Sequence, residues 1–96
     1  MGIQEIIGNH KDQILAIASK HGAYNVRVFG SVAQGTADES SDIDFLVDLE
    51  DGRSLFDLGG LLMELQDLLQ RKVDVLTEQS LHWYIRNKVL NEAKPL

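Results

Sequence analysis

The sequence has no cysteine, which excludes disulfides, thiolate metal sites and cysteine nucleophiles together. That absence agrees with a cytoplasmic setting. Its one proline, Pro95, stands next to the C-terminal residue, so no earlier helix or strand is interrupted by proline. No run approaches the ~18 apolar residues of a membrane span, so no membrane association is expected. The opening MGIQEIIGNHKDQ has no basic start, no continuous apolar stretch and no small-residue cleavage site, so it does not read as a secretion signal. Cations are scarce: 9 Lys and Arg stand against 15 Asp and Glu, a formal net charge of −6. Such a chain is poorly suited to gripping many backbone phosphates, and direct nucleic-acid binding is not expected. A single nucleotide is a different case, because a divalent cation carries part of the charge balance.

What is present is an ordinary globular mixture, 44% hydrophobic and 25% charged over 96 residues. This size suits one domain, residues 1–96, with one core. No internal repeat or low-complexity segment is visible. Ile3, Ile6, Ile7, Ile14, Leu15, Ile17 and Ala18 recur at three- and four-residue spacing and predict a first amphipathic helix, with Gly22 at its end. A short strand over 26–29 runs into Gly30-Ser31, then a loop or short helical turn. A second strand is expected over 43–49, closed by the Asp51-Gly52 turn. Leu55, Leu58, Leu62, Leu65 and Leu69, widened by Leu61 and Leu68, predict a core-facing helix over 54–70. Its Gly59-Gly60 pair costs about 2 kcal/mol relative to alanine, and close packing against a sheet is the expected reason. A third strand over 72–76 and a last helix capped near Ser80, with Leu81, Ile85 and Val89 on one side, complete the chain. The expected class is α/β (α+β): a small mixed sheet covered by helices, in the order α-β-(turn or short α)-β-α-β-α.

The chemistry concentrates in Gly30 to Asp44, GSVAQGTADESSDID. Side chains alternate along a strand, so Asp42 and Asp44 share one face, roughly 6–7 Å apart, while Ile43, Phe45 and Val47 face the core. If the third strand lies beside the second, Asp74 joins them. Two carboxylates at that separation repel by about 3 kcal/mol at an effective dielectric of 20. A divalent cation relieves this most effectively, and oxygen-only ligands point to magnesium or manganese. Gly30 permits close approach or a positive φ, and Ser31 offers a hydroxyl and an N–H to a phosphate. Residues 30–36 fall short of a phosphate-binding P-loop, because no lysine follows Gly35. Residues 42–52 fall short of a calcium loop, which needs glycine where Val47 stands. His10, His21 and His82 have no ligand spacing and suit surface or helix-end roles. Trp83 and Tyr84 suit packing or partner contact. Arg27 and Arg53 suit surface charge better than phosphate binding.

On these motifs the chain resembles the minimal nucleotidyltransferase family of the DNA polymerase β-like superfamily. The family pattern is a hydrophobic residue and Gly-Gly or Gly-Ser, about ten residues, an Asp-hydrophobic-Asp, then a third acid on a later strand. Here these are Phe29-Gly30-Ser31, Asp42-Ile43-Asp44 and Asp74, and the similarity runs from about residue 20 to the end. Gln34 departs from it, standing where many relatives carry arginine. The resemblance implies that Asp42, Asp44 and Asp74 are catalytic and hold two Mg²⁺ ions. It implies that Gly30 and Ser31 position the phosphates of ATP, and that Asp74 helps activate an incoming hydroxyl. It further implies an antitoxin that adenylylates a tyrosine of a HEPN-domain toxin within a hetero-oligomer. On this resemblance, a chain this small is expected to take its acceptor from a partner and not from an acceptor-binding domain of its own. The other reading is a non-catalytic module that neutralises its partner by binding, with a vestigial or regulatory nucleotide site.

Overall fold

The computed structural model describes residues 1–96 and divides the expected first helix in two. Helix α1 (Ile3–Ile6) gives way to a 3-10 turn (Gly8–His10) and then α2 (Lys11–Lys20). Gly8, at φ 41°, takes a left-handed conformation that stops α1. The apolar side continues through the break, with Ile7, Ile14 and Ala18 buried. Gly22 then turns the chain out of α2 at φ 76°, as its sequence position predicts.

Strand β1 (Ala23–Phe29) begins earlier than its four-residue apolar signal. It leads into α3 (Gly30–Gln34), β2 (Ile43–Leu49), α4 (Leu55–Leu69), β3 (Val73–Leu76), a 3-10 turn (Glu78–Ser80), α5 (Trp83–Glu92) and β4 (Lys94–Pro95). The sheet order is β3-β2-β1-β4. The β1–β2 and β1–β4 pairs are antiparallel, and β2–β3 is parallel. A parallel pair needs a crossover, which α4 supplies. The two-residue β4 was not anticipated, because so short a segment has no alternation to read. Its proline lies at a sheet edge, where a missing N–H costs least.

Helices cover both faces of the sheet. Val28, Ile43, Phe45, Val47, Val73 and Val75 pack with Ile14 and Ala18 of α2 and Leu61 and Leu65 of α4. On the other face Leu46 meets Leu81 and Val89, joined by the half-buried Phe29 and Leu76. Thus β2 is buried on both sides at its centre. Each large apolar side chain enclosed there contributes about 1.5–3 kcal/mol.

Helix α4 is capped as a reciprocal box. Ser54 Oγ accepts from the Phe56 N–H at 3.2 Å, and Asp57 Oδ2 accepts from the Ser54 N–H at 2.9 Å. The centre of the helix, not its first turn, lies over the sheet. Leu61 and Leu65 are buried, whereas Leu55 is 82% and Phe56 93% exposed, so the expected leucine stripe is core only from its middle onward. The glycine pair also differs from expectation. A side chain on Gly60 would meet the His21 ring 2.8 Å away, so it allows close approach to α2 and not to the sheet, while Gly59 faces open space. Helix α5 is capped by His82, whose Nδ1 accepts from the Tyr84 N–H at 3.1 Å. Ser80 instead ends the preceding 3-10 turn and bonds back to Thr77. Leu81 and Val89 face inward as expected, but Ile85, Trp83 and Tyr84 are exposed. No helix is long and apolar enough to cross a membrane.

Candidate active site

The turn from β1 into α3 places Gly30 directly against Asp44. Phe29 is the register partner of Asp44 across β1–β2, so the next residue comes level with the carboxylate. Gly30 has φ 71°, and a side chain there would collide with Asp44 Oδ2. Backbone and space therefore both demand glycine. Ser31 follows, half-buried, in the first turn of α3, which is anchored by the buried Val32 and Ala33.

Strand β3 brings up the third acid. Asp44 and Asp74 are register partners across the parallel β2–β3 pair. Asp74 is exposed and lies on an edge strand. Asp42 immediately precedes β2, with Oδ2 4.0 Å from Lys72 Nζ. Asp44 is half-buried on the face opposite Ile43 and Phe45. Its pKa is pushed up to about 6, first by burial and then by the negative charges of Asp74 and Asp42. The three acids are thus near enough for Asp74 and Asp42 to disfavour ionisation of Asp44. They do not close into a three-ligand cage by themselves. The donor set is all oxygen, its charges repel, and its open side faces solvent. These features fit a hard cation whose remaining positions go to water or phosphate oxygens, as magnesium prefers.

A cavity of about 520 Å³ lies elsewhere, lined by Tyr24, Asp48, Leu49, Leu55 and Glu78 at the opposite end of β2. Cavity size and chemistry disagree here. The coupled carboxylates and the obligatory glycine define the candidate site, because a large void carries no reactive group by itself. Arg27 is committed near that far end, with Nη2 2.9 Å from Asp48 Oδ1. Arg53 pairs with Asp57 at 3.2 Å. His10 bonds Gln13, His21 bonds Glu64, and His82 caps α5. Gln34 is exposed on the last turn of α3, in a shallow cleft with Glu5 and Lys94.

Sequence reasoning missed Arg71. Its Nη1 donates to the carbonyl oxygens of Asp38, at 2.9 Å, and Ser41, at 3.1 Å. The signal available was an arginine just before the strand that carries Asp74. The turn it holds is organised from within, since Asp38 Oδ1 accepts from the N–H and Oγ of Ser40 and from Ser41 Oγ. Those bonds lower the Asp38 pKa.

The profile of the nucleotidyltransferase domain family matches residues 11–96. A Methanocaldococcus jannaschii protein assigned as a protein adenylyltransferase is 44% identical over 97% of this chain and 96% of its own length. The protein adenylyltransferase MntA of Thermococcus cleftensis is 37% identical over 95% of this chain and 89% of its own length. Among solved structures, one assigned as a minimal nucleotidyltransferase superposes with a TM-score of 0.87 at 44% identity, covering 100% of this chain and 97% of that one. A chain of the toxin–antitoxin complex MntA–HpeT gives a TM-score of 0.73 at 25% identity, covering 90% of this chain and 70% of that one. The positive-φ glycine against Asp44, the neighbouring acids and these likenesses agree, and the chain belongs to the nucleotidyltransferase domain family, in its minimal form.

Proposed function

We propose that this chain transfers AMP from ATP to a hydroxyl of a partner protein, in a Mg²⁺-dependent reaction, and so acts as an antitoxin. The observation that carries this reading is the pairing of Asp44 with Asp74 on adjacent strands, with Asp42 alongside and Gly30 pressed against Asp44. Asp42, Asp44 and Asp74 are the residues that would hold two Mg²⁺ ions. When bound, the ions supply charge stabilisation to the triphosphate and to the attacking and leaving oxygens.

The chain's own groups account for the rest. Gly30 leaves the backbone open to a phosphate, and Ser31 offers its N–H and hydroxyl. The acceptor oxygen attacks the α-phosphorus as the bond to the α,β-bridging oxygen breaks and pyrophosphate departs. The hydroxyl proton passes to the Asp74 carboxylate, which is exposed on the edge strand and open to an incoming macromolecule. That openness favours a protein acceptor over a small molecule, which would call for an enclosing pocket. Relatives named protein adenylyltransferases support the same choice. The proposed partner is a HEPN-domain toxin in a hetero-oligomer, and the proposed acceptor is a tyrosine.

Intact-mass measurement of the partner after incubation with this chain and Mg-ATP tests the reading. We expect a gain of about 329 Da per AMP, absent with Asp44→Asn. Neutralisation with no adduct, undiminished in Asp44→Asn, would make the chain a binding module instead.

A further inference from the structure

We propose that Arg71 is a positioning residue for the acidic site, fixing Asp42 against Asp74 and thereby setting the affinity for the divalent cation. The inference rests on the three-acid site proposed above and adds a residue to it. Asp42 is held from both sides by the segment that leads into β3. The carbonyl of Ser41, just before it, accepts from Arg71 Nη1 at 3.1 Å. The N–H of Ile43, just after it, donates to the Lys72 carbonyl at 3.0 Å. Residues 71 and 72 stand immediately ahead of the strand that carries Asp74, so one short segment sets the distance between two acids far apart in sequence.

The turn over 38–41 does not need Arg71 for its shape. It has its own bonds from Ser40 and Ser41 to Asp38 Oδ1, and Ser41 Oγ accepts from the Asp38 N–H at 2.9 Å. What Arg71 adds is the location of that turn, because one nitrogen gathers the carbonyls of both Asp38 and Ser41. Removing it leaves Asp42 held on one side only, by the Ile43 N–H on the Lys72 carbonyl, so that the turn before it loosens and Asp42 is less closely fixed against Asp74. Groups that orient ligands without touching the metal commonly change affinity by about ten- to a hundredfold.

The test is Mn²⁺ titration, followed by the electron paramagnetic resonance of free ion, on the intact chain and its variants. Metal-free melting serves as the control for folding. Arg71→Ala is expected to weaken Mn²⁺ binding about tenfold or more with little change in metal-free melting. Arg71→Lys is expected to recover part of the loss, since one ammonium can serve both carbonyls. Asp44→Asn is expected to abolish binding. If Arg71→Ala binds like the wild type while Asp44→Asn does not, the inference falls and the acidic site stands. If the wild type and Asp44→Asn bind alike, the site itself falls. Should Arg71→Ala fail to fold, Arg71→Gln takes its place, with the same two deciding outcomes.

Discussion

Asp44 Oδ2 occupies the space that a side chain on Gly30 would need. Two penalties therefore meet in Gly30→Ala: the left-handed backbone, at about 1–2 kcal/mol, and the displacement of a carboxylate. Gly35, at φ 78° with open space around it, carries only the first. Gly30→Ala is expected to melt lower than Gly35→Ala and to lose more than about tenfold in AMP transfer, a barrier increase of at least about 1.4 kcal/mol. Equal melting of the two variants would show that the contact is not tight.

The raised pKa of Asp44 has a definite sign in stability. Folding favours the protonated form, because the folded pKa of about 6 lies above the ordinary 3.8. The associated stability is full below about pH 4 and is lost as pH rises to about 6. Without metal at neutral pH, Asp44→Asn should therefore melt above the wild type. Solvent screening holds the difference to about 1 kcal/mol. The gap should close in melts below about pH 4, and a gap independent of pH would exclude the ionised carboxylate as its cause.

Magnesium should reverse that order. A cation bound only by the folded chain adds about 1.4 kcal/mol when its concentration exceeds the dissociation constant about tenfold. Thermal melts across millimolar Mg²⁺ at neutral pH are expected to rise for the wild type and to stay flat for Asp44→Asn. Flat melts for both, with and without ATP, would argue against a metal site at these acids.

Arg27 supplies a contrast. Its guanidinium is largely enclosed and pairs with Asp48 at 2.9 Å. Arg27→Ala leaves Asp48 without that partner and is expected to cost about 2–3 kcal/mol with the KM for ATP unchanged. A changed KM at unchanged stability would place Arg27 on the nucleotide after all.

The adjacent glycines of α4 should respond in opposite directions. Gly59 faces open space in mid-helix, so Gly59→Ala is expected to stabilise by about 0.5–1 kcal/mol. Gly60→Ala would drive a methyl against the His21 ring, 2.8 Å away, and is expected to destabilise despite the same helical gain. Chemical denaturation of the two variants separates these outcomes.

Much of the site was legible because a strand repeats every two residues. Ile43, Phe45 and Val47 alternate with Asp42 and Asp44, so the buried and polar faces of β2 follow from local geometry alone. The break at Gly8 was hidden, because apolar spacing carries through a left-handed residue without interruption. The exposed Leu55 was hidden for a related reason: periodicity names a helix face but not how far the sheet beneath it extends. The cap on α5 depended on a histidine nitrogen, a less common acceptor there than the neighbouring serine.

By itself the sequence determined the acids, the glycine-serine turn, the strand that presents Asp44 and the absence of any thiolate ligand. These are properties of neighbours along the chain. Only the tertiary structure decided that Asp44 lies opposite Asp74 and not one step away, that Gly30 touches Asp44, and that Arg71 holds the turn before Asp42. Each of those joins segments separated by more than ten residues. Strand register and helix placement create such contacts when the sheet is buried on both faces, and no local pattern encodes them.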